Sequence, residues 1–305
     1  MEIIGILIIK LIPLYLLILL GMIVSQKLKV NRESVAKLLV YIISPGVVFY
    51  GTCKADLNLS NLLLPIVFFA LSCISALLFF QIGKYFWKDN TKNILAYTAG
   101  TANTGYFGLP VLLMLFGENS FTLAALAIFG FILYENTLGF YITARGNFSA
   151  KQSLMKVLKL PAIYTFIAGL TFNFLKIPIS ADIFDMLGYF KGAYSLLGMM
   201  IIGMSLSRAT FQKFDFKFLT LSFIARFIFW PLILLPFVYF DKTIFHFFTN
   251  EAYHILLVYS CVPLAASTVV FASELGVQPD KAAVTVLLST LFALFYIPMV
   301  IFLFG

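Results

Sequence analysis

Three sets of residues in this sequence are of types that could do chemistry. Asn103, Gly105 and Pro110 fall within TANTGYFGLP (residues 101–110), and Pro263, Ser267 and Thr268 fall within CVPLAASTVVFASELG (261–276). Glu135 and Arg226 stand alone in long apolar runs. An asparagine amide both donates and accepts hydrogen bonds, and serine and threonine offer hydroxyls. Proline removes a backbone donor and clashes with the carbonyl four residues earlier, which for Pro110 is that of Tyr106 and for Pro263 that of Tyr259. Gly105 and Gly108 give the backbone freedom to unwind just before Pro110. A half-helix starting near Pro110 would aim free amides and a positive dipole end at its surroundings, which favours an anion. This chemistry suits a small carboxylate better than a cation or a sugar.

The elements that position these groups follow from composition. Of 305 residues 62% are hydrophobic and 11% charged, with a mean hydropathy of +1.01. A soluble domain carries about 25% charged residues, so a water-soluble fold cannot hide this chain. Runs of about 18 or more apolar residues match the hydrocarbon thickness of a bilayer. The sequence reads as an all-α membrane protein with ten transmembrane helices near 3–24, 34–53, 62–86, 92–116, 120–143, 160–176, 189–207, 217–240, 252–272 and 280–304. Residues 3–24 follow Glu2 rather than a basic region and no small-residue cleavage site comes after, so they read as a retained span and not as a signal peptide.

Charge orients the spans. With the N-terminus outside, fifteen of the 21 basic residues fall in inner loops, among them Arg208 and Lys213, while Lys54, Lys176, Lys191 and Lys242 fall outside. This bias puts both termini, Gly305 included, on the extracytoplasmic side and segment 144–159 in the cytoplasm. The net charge of +8 therefore reflects topology and not nucleic-acid binding. Segment 144–159 separates residues 1–143 from 160–305, five spans from five, and an odd number makes the second half inverted. Inverted repeats with interrupted helices at the midplane are a recurrent plan of secondary transporters, and the breakers in spans four and nine take matching positions.

Ionisable residues inside spans are functional candidates by default. Lys10 sits close enough to the outer end of span one to snorkel. Glu135 and Arg226 each sit about 14 Å from the cytoplasmic end of spans five and eight at about 1.5 Å per residue. Equal depth permits a salt bridge between these spans, which read as equivalent members of the two repeats. The alternative makes Arg226 a substrate or gating cation and Glu135 a proton site. His254 reads as an interfacial residue, and Cys53, Cys73 and Cys261 as isolated buried thiols without a metal or disulfide pattern. No cofactor is implied. There is no HExxH, nucleophile elbow or P-loop, so the chain reads as neither an enzyme nor an ATP-driven pump.

NTGYFGLPV at 103–111 resembles the Asn-x-Gly-x-x-Gly-x-Pro signature of the auxin efflux carrier family of membrane transporters. SPGVVF (44–49), LLGMMIIGMSL (196–206), ARFIFWPL (225–232) and PLAASTVVFASELG (263–276) match the same family in order and spacing. The resemblance implies ten spans, a scaffold part, a mobile part in which helices four and nine cross, and a homodimer. It implies movement of organic anions, auxin in plants and dicarboxylates such as malate or malonate in bacteria. Asn103 and Pro110 would then lie at the crossover with Pro263 opposite them. The chain lacks the long cytoplasmic loop of many plant members and so resembles a compact prokaryotic one. The reading is a secondary transporter in the plasma membrane, its coupling ion a proton or sodium. A channel, or a non-transporting sensor on the same fold, is the alternative.

Overall fold

The computed structural model describes residues 2–54, 59–116, 121–207 and 215–304, and these form helices with no strand among them. A backbone surrounded by hydrocarbon finds no water to bond, and a helix satisfies it internally. In chain order, α1 (Glu2–Lys27) is followed by α2 (Arg32–Leu38), which a π turn joins to α3 (Ser44–Lys54). The long α4 (Leu59–Phe86) precedes a broken unit made of α5 (Thr91–Gly100), the π turn Thr104–Gly108 and α6 (Leu109–Phe116). Next come α7 (Phe121–Tyr134), the π turn Glu135–Gly139 and α8 (Phe140–Ala144). In the second part α9 (Ala150–Leu158), α10 (Pro161–Phe174) and α11 (Ala181–Leu206) lead to α12 (Phe216–Phe223), the π turn Ile224–Phe229 and α13 (Trp230–Phe240). After the π turn Asp241–Phe245 the chain forms a second broken unit, α14 (Asn250–Cys261) and α15 (Ser267–Leu275), and closes with α16 (Pro279–Phe304).

Among the described residues, six helical stretches are long and apolar enough to cross a membrane, and the pair α9 and α10, bent by 42°, makes a seventh if counted as one span. The broken units fail that test as single helices because each is cut near its middle. The basic loop residues Arg208 and Lys213, and Gly305 at the expected outer end, lie outside the described residues. Ser149 and Gln152 cap the start of α9 reciprocally, which sets it apart from α8.

Two packing groups emerge. In one, α1 lies along α11 and α3 along α10. Gly203 meets the Ile18 backbone so closely that any side chain there would push the helices apart. In the other, α4 packs on α5 and α7, and α13 on α14. Its centre is aromatic: Phe131 lies 5.5 Å from Trp230 and 4.9 Å from Phe68, and Phe68 lies 5.7 Å from Tyr259. All of these rings are buried, and they surround the place where the two broken units meet.

Candidate functional site

The first break opens at Thr101, whose backbone is extended (φ −117°, ψ 163°). The helix therefore stops at Gly100, and its last carbonyls need donors from elsewhere. Neutral side chains supply them. The Ala99 carbonyl accepts from Trp230 Nε1 and from Ser75 Oγ, both at 2.8 Å. The Tyr134 hydroxyl donates to the carbonyls of Ala96 and Tyr97 at 3.1 and 3.2 Å. Helical structure resumes at Thr104, where the amides of Phe107 and Gly108 return to the Asn103 carbonyl at 3.3 and 3.0 Å.

This corrects the expectation that the half-helix starts near Pro110. Helical backbone already runs from Thr104 through the π turn into α6, so Pro110 lies six residues inside that run and not at its start. The break itself lies one π turn earlier. Neither glycine acts through left-handed backbone, since Gly276 alone among the described glycines has a positive φ. Gly105 is exposed and a Cβ on it would touch nothing within 4 Å. Gly108 is different: a Cβ there would come within 2.9 Å of the Tyr259 ring and 3.0 Å of Val262. Its smallness lets the two broken units touch.

The second break runs from Val262, also extended (φ −65°, ψ 153°), to Ala266. Pro263 has no amide to return to Tyr259, as the sequence suggests. The carbonyl so released is not left unsatisfied, because it accepts from the Arg226 guanidinium. Arg226 Nε also donates to the Val262 carbonyl at 2.6 Å, and the guanidinium lies 4.8 Å over the Trp230 ring. The neighbouring Pro263 carbonyl accepts from the Asn103 amide at 2.8 Å, a main-chain bond that joins one break directly to the other. Ser289 of α16 holds the Leu264 amide at 3.1 Å.

Glu135 is buried where α7 passes into its π turn. Its Oε1 accepts from the Thr101 hydroxyl at the first break and from the Ser267 hydroxyl, 2.7 Å away, at the second. The carboxylate thus holds both breaks through one oxygen. The expected Glu135–Arg226 bridge is absent. The ion pairs among the described residues are Arg32–Asp280 at 2.5 Å and Lys281–Asp215 at 3.0 Å, both between chain segments that flank the spans. Equal depth along two helices fixes height and says nothing of azimuth. Arg226 turns to the end of α14 while Glu135 turns to the gap between α5 and α15. Counted through two sets of five, spans five and eight are not counterparts either, since the fifth would correspond to the tenth.

The expected site residues Asn103, Pro263, Ser267, Thr268 and Arg226 are thus brought together around the breaks, with Glu135 between them, and Pro110 stands a turn away. Three buried donor atoms in this group have no hydrogen-bond partner in the protein: Asn103 Nδ2, Arg226 Nη1 and Thr268 Oγ1. Sequence reasoning missed Thr101, Ser75, Tyr134, Trp230 and Ser289. Thr101 lies inside the stretch already singled out, and a hydroxyl immediately before a break is a signal that could have found it. His254 stacks on Phe116 with ring centroids 3.9 Å apart, away from the breaks. Lys10 lies on α1.

Comparison with known proteins points to a membrane transporter. The family described as "Membrane transport protein" matches residues 143–301, just over half of the chain. An uncharacterized transporter of Methanocaldococcus jannaschii is 27% identical over 289 residues, which cover 90% of this chain and 92% of the relative. An uncharacterized transporter of Methanothermobacter thermautotrophicus is 22% identical over 274 residues, covering 88% of each. The second broken unit, Arg226 and most of α16 fall within the matched region, and the chain belongs to the membrane transport protein family as a multi-pass membrane transporter.

Proposed function

We propose that the protein is a secondary transporter that moves a small organic anion, a carboxylate or dicarboxylate, across the plasma membrane by alternating access at the paired breaks. The observation that carries this reading is the trio of unpartnered buried donors, Asn103 Nδ2, Arg226 Nη1 and Thr268 Oγ1. A buried donor left without an acceptor costs about 1–3 kcal/mol, and a carboxylate supplies acceptors. In this reading residues 1–143 and 160–305 are inverted repeats joined by a cytoplasmic segment 144–159, and both termini are extracytoplasmic. The protein works as a homodimer, and Glu135, which touches both breaks, carries a coupling proton.

Purified protein in liposomes tests the reading with labelled malonate and malate. Saturable uptake, stimulated by an imposed proton gradient, is expected. Binding without flux would make the chain a sensor, and non-saturating flux a channel. Stimulation by sodium and not by protons would move the coupling role away from Glu135.

A further inference from the structure

Outside the breaks, a cavity of about 510 Å³ opens between the C-terminal part of α4, the start of α5 and the end of α8. Leu77, Phe80 and Leu138 line its apolar part, and Lys88, Lys92 and Arg145 its polar part. No carboxylate of a described residue lies within 4 Å of any of these three cations. Lys92 donates to the carbonyls of Lys88 and Asp89, each at 2.8 Å, and Arg145 to that of Phe148 at 2.7 Å. Asp89 also lines the cavity, and its Oδ1 accepts from the Thr91 amide at 3.0 Å.

We propose that this cavity binds the headgroup of an anionic phospholipid of the cytoplasmic leaflet. Its depth fits that occupant. At about 1.5 Å per residue, Leu77 lies about 14 Å before the end of α4 at Phe86, close to Lys88, and Leu138 about 9 Å before the end of α8 at Ala144, next to Arg145. That is the interval from phosphate to the upper acyl chain. The apolar part is continuous with the outward face of α4, where Ile66, Ile74 and Leu77 are exposed. Acyl chains can follow that face while the phosphate meets the three cations. A soluble dicarboxylate would satisfy the charges and leave the apolar wall in water. Basic pockets at the cytoplasmic ends of membrane helices recognise anionic lipid in this way. The leaflet follows from the excess of basic residues on this side of the chain. A lipid seated here would touch α4, α5 and α8, of which α5 ends at the first break and α8 follows the π turn that holds Glu135.

The test is native mass spectrometry of the full chain equilibrated in micelles with equal amounts of phosphatidylglycerol and phosphatidylcholine. Several-fold enrichment of bound phosphatidylglycerol is expected, falling to the ratio in the micelle for the Lys88→Gln/Arg145→Gln double variant. Equal retention of the two lipids by the unmodified protein overturns the proposal, and so does undiminished enrichment in the double variant. Should that variant fold poorly, Lys88→Gln alone serves, because Lys88 is exposed; enrichment is then expected to drop by at least half. Malonate or inorganic phosphate displacing phosphatidylglycerol at millimolar concentration would show a soluble-anion site and also overturn it. None of these readouts depends on the transport reading.

Discussion

The two breaks solve one physical problem by different means. Each interrupts a helix deep in an apolar protein and releases carbonyls that hydrocarbon cannot satisfy. At the first break three neutral side chains, Ser75, Tyr134 and Trp230, share the carbonyls of Ala96, Tyr97 and Ala99. At the second break one guanidinium serves those of Tyr259 and Val262. The first arrangement is distributed and redundant, since Ala99 has two donors. The second rests on one charge whose attraction is strengthened by low surrounding polarity. Arg226 therefore joins two roles: two of its nitrogens hold the fold, and a third, Nη1, has no partner.

The largest effect expected from this contrast is that of Arg226→Met. Two buried carbonyls would lose their donor, at about 2–6 kcal/mol in total if each unsatisfied group costs about 1–3. Melting temperature should fall steeply, and adding Glu135→Gln should not restore it, because the two residues are not partners. Recovery in the double variant would revive the salt bridge that the structure does not contain. Trp230→Phe should cost far less at the first break, because Ser75 still serves Ala99. If the two single variants were equally destabilised, the contrast between shared and concentrated capping would be wrong.

Asn103→Ala should separate function from stability. The residue's backbone amide makes the bond to Pro263, and alanine keeps that amide. The side-chain nitrogen that is removed has no partner in the protein. Melting temperature should stay near that of the unmodified protein while carboxylate uptake falls about tenfold or more, the worth of roughly one good hydrogen bond to substrate. Uptake near the original level would take Asn103 out of the substrate site.

How far this was legible in the sequence depends on whether a feature is local. The apolar runs marked the chain as helical and membrane-spanning, and Pro263 marked the second break, because proline acts on its own segment. The first break was placed too late for a related reason: Pro110 is the visible breaker, yet the chain opens at Thr101 and is helical again from Thr104. Long-range geometry was not legible. Depth along a helix can be counted from residue numbers, but the direction Glu135 and Arg226 face depends on how the helices rotate against one another. Nothing near Trp230 in the sequence says that its indole caps a helix 131 positions earlier.

A smaller effect concerns the oxygen that both breaks share. Ser267→Ala and Thr101→Val each remove one hydroxyl from Glu135, and hydrogen bonds to a charged group are worth about 1.5–3 kcal/mol. Because both meet the same oxygen, losing the first leaves the carboxylate more dependent on the second. The double variant should be less stable than the sum of the two single losses predicts, as expected for residues in one network. Additive melting shifts in the four-protein cycle would mean that the two breaks are not coupled through Glu135.

The smallest expected effect lies away from the breaks, where the chain segments flanking α12 and α16 are tied by partly buried charge. Asp215 caps α12 through the Phe218 amide at 3.0 Å, and its Oδ2 accepts from Lys281 at 3.0 Å and Trp87 Nε1 at 2.9 Å. Partial burial pushes its carboxyl upward, but the Phe218 amide, Lys281 and Trp87 outweigh this and hold it below the usual Asp range. The folded protein thus binds this proton more weakly than the unfolded chain does. The stabilisation is present above the unfolded carboxylate value of about 3.9 and is lost as pH falls through and below it. Asp215→Asn keeps a side chain equally suited to a helix cap and removes only the charge. Its melting temperature should sit slightly below that of the unmodified protein at neutral pH, and the gap should close as the solution is acidified towards pH 4 or below. A gap that stays constant with pH would assign the difference to packing around Trp87 and not to the charge on Asp215.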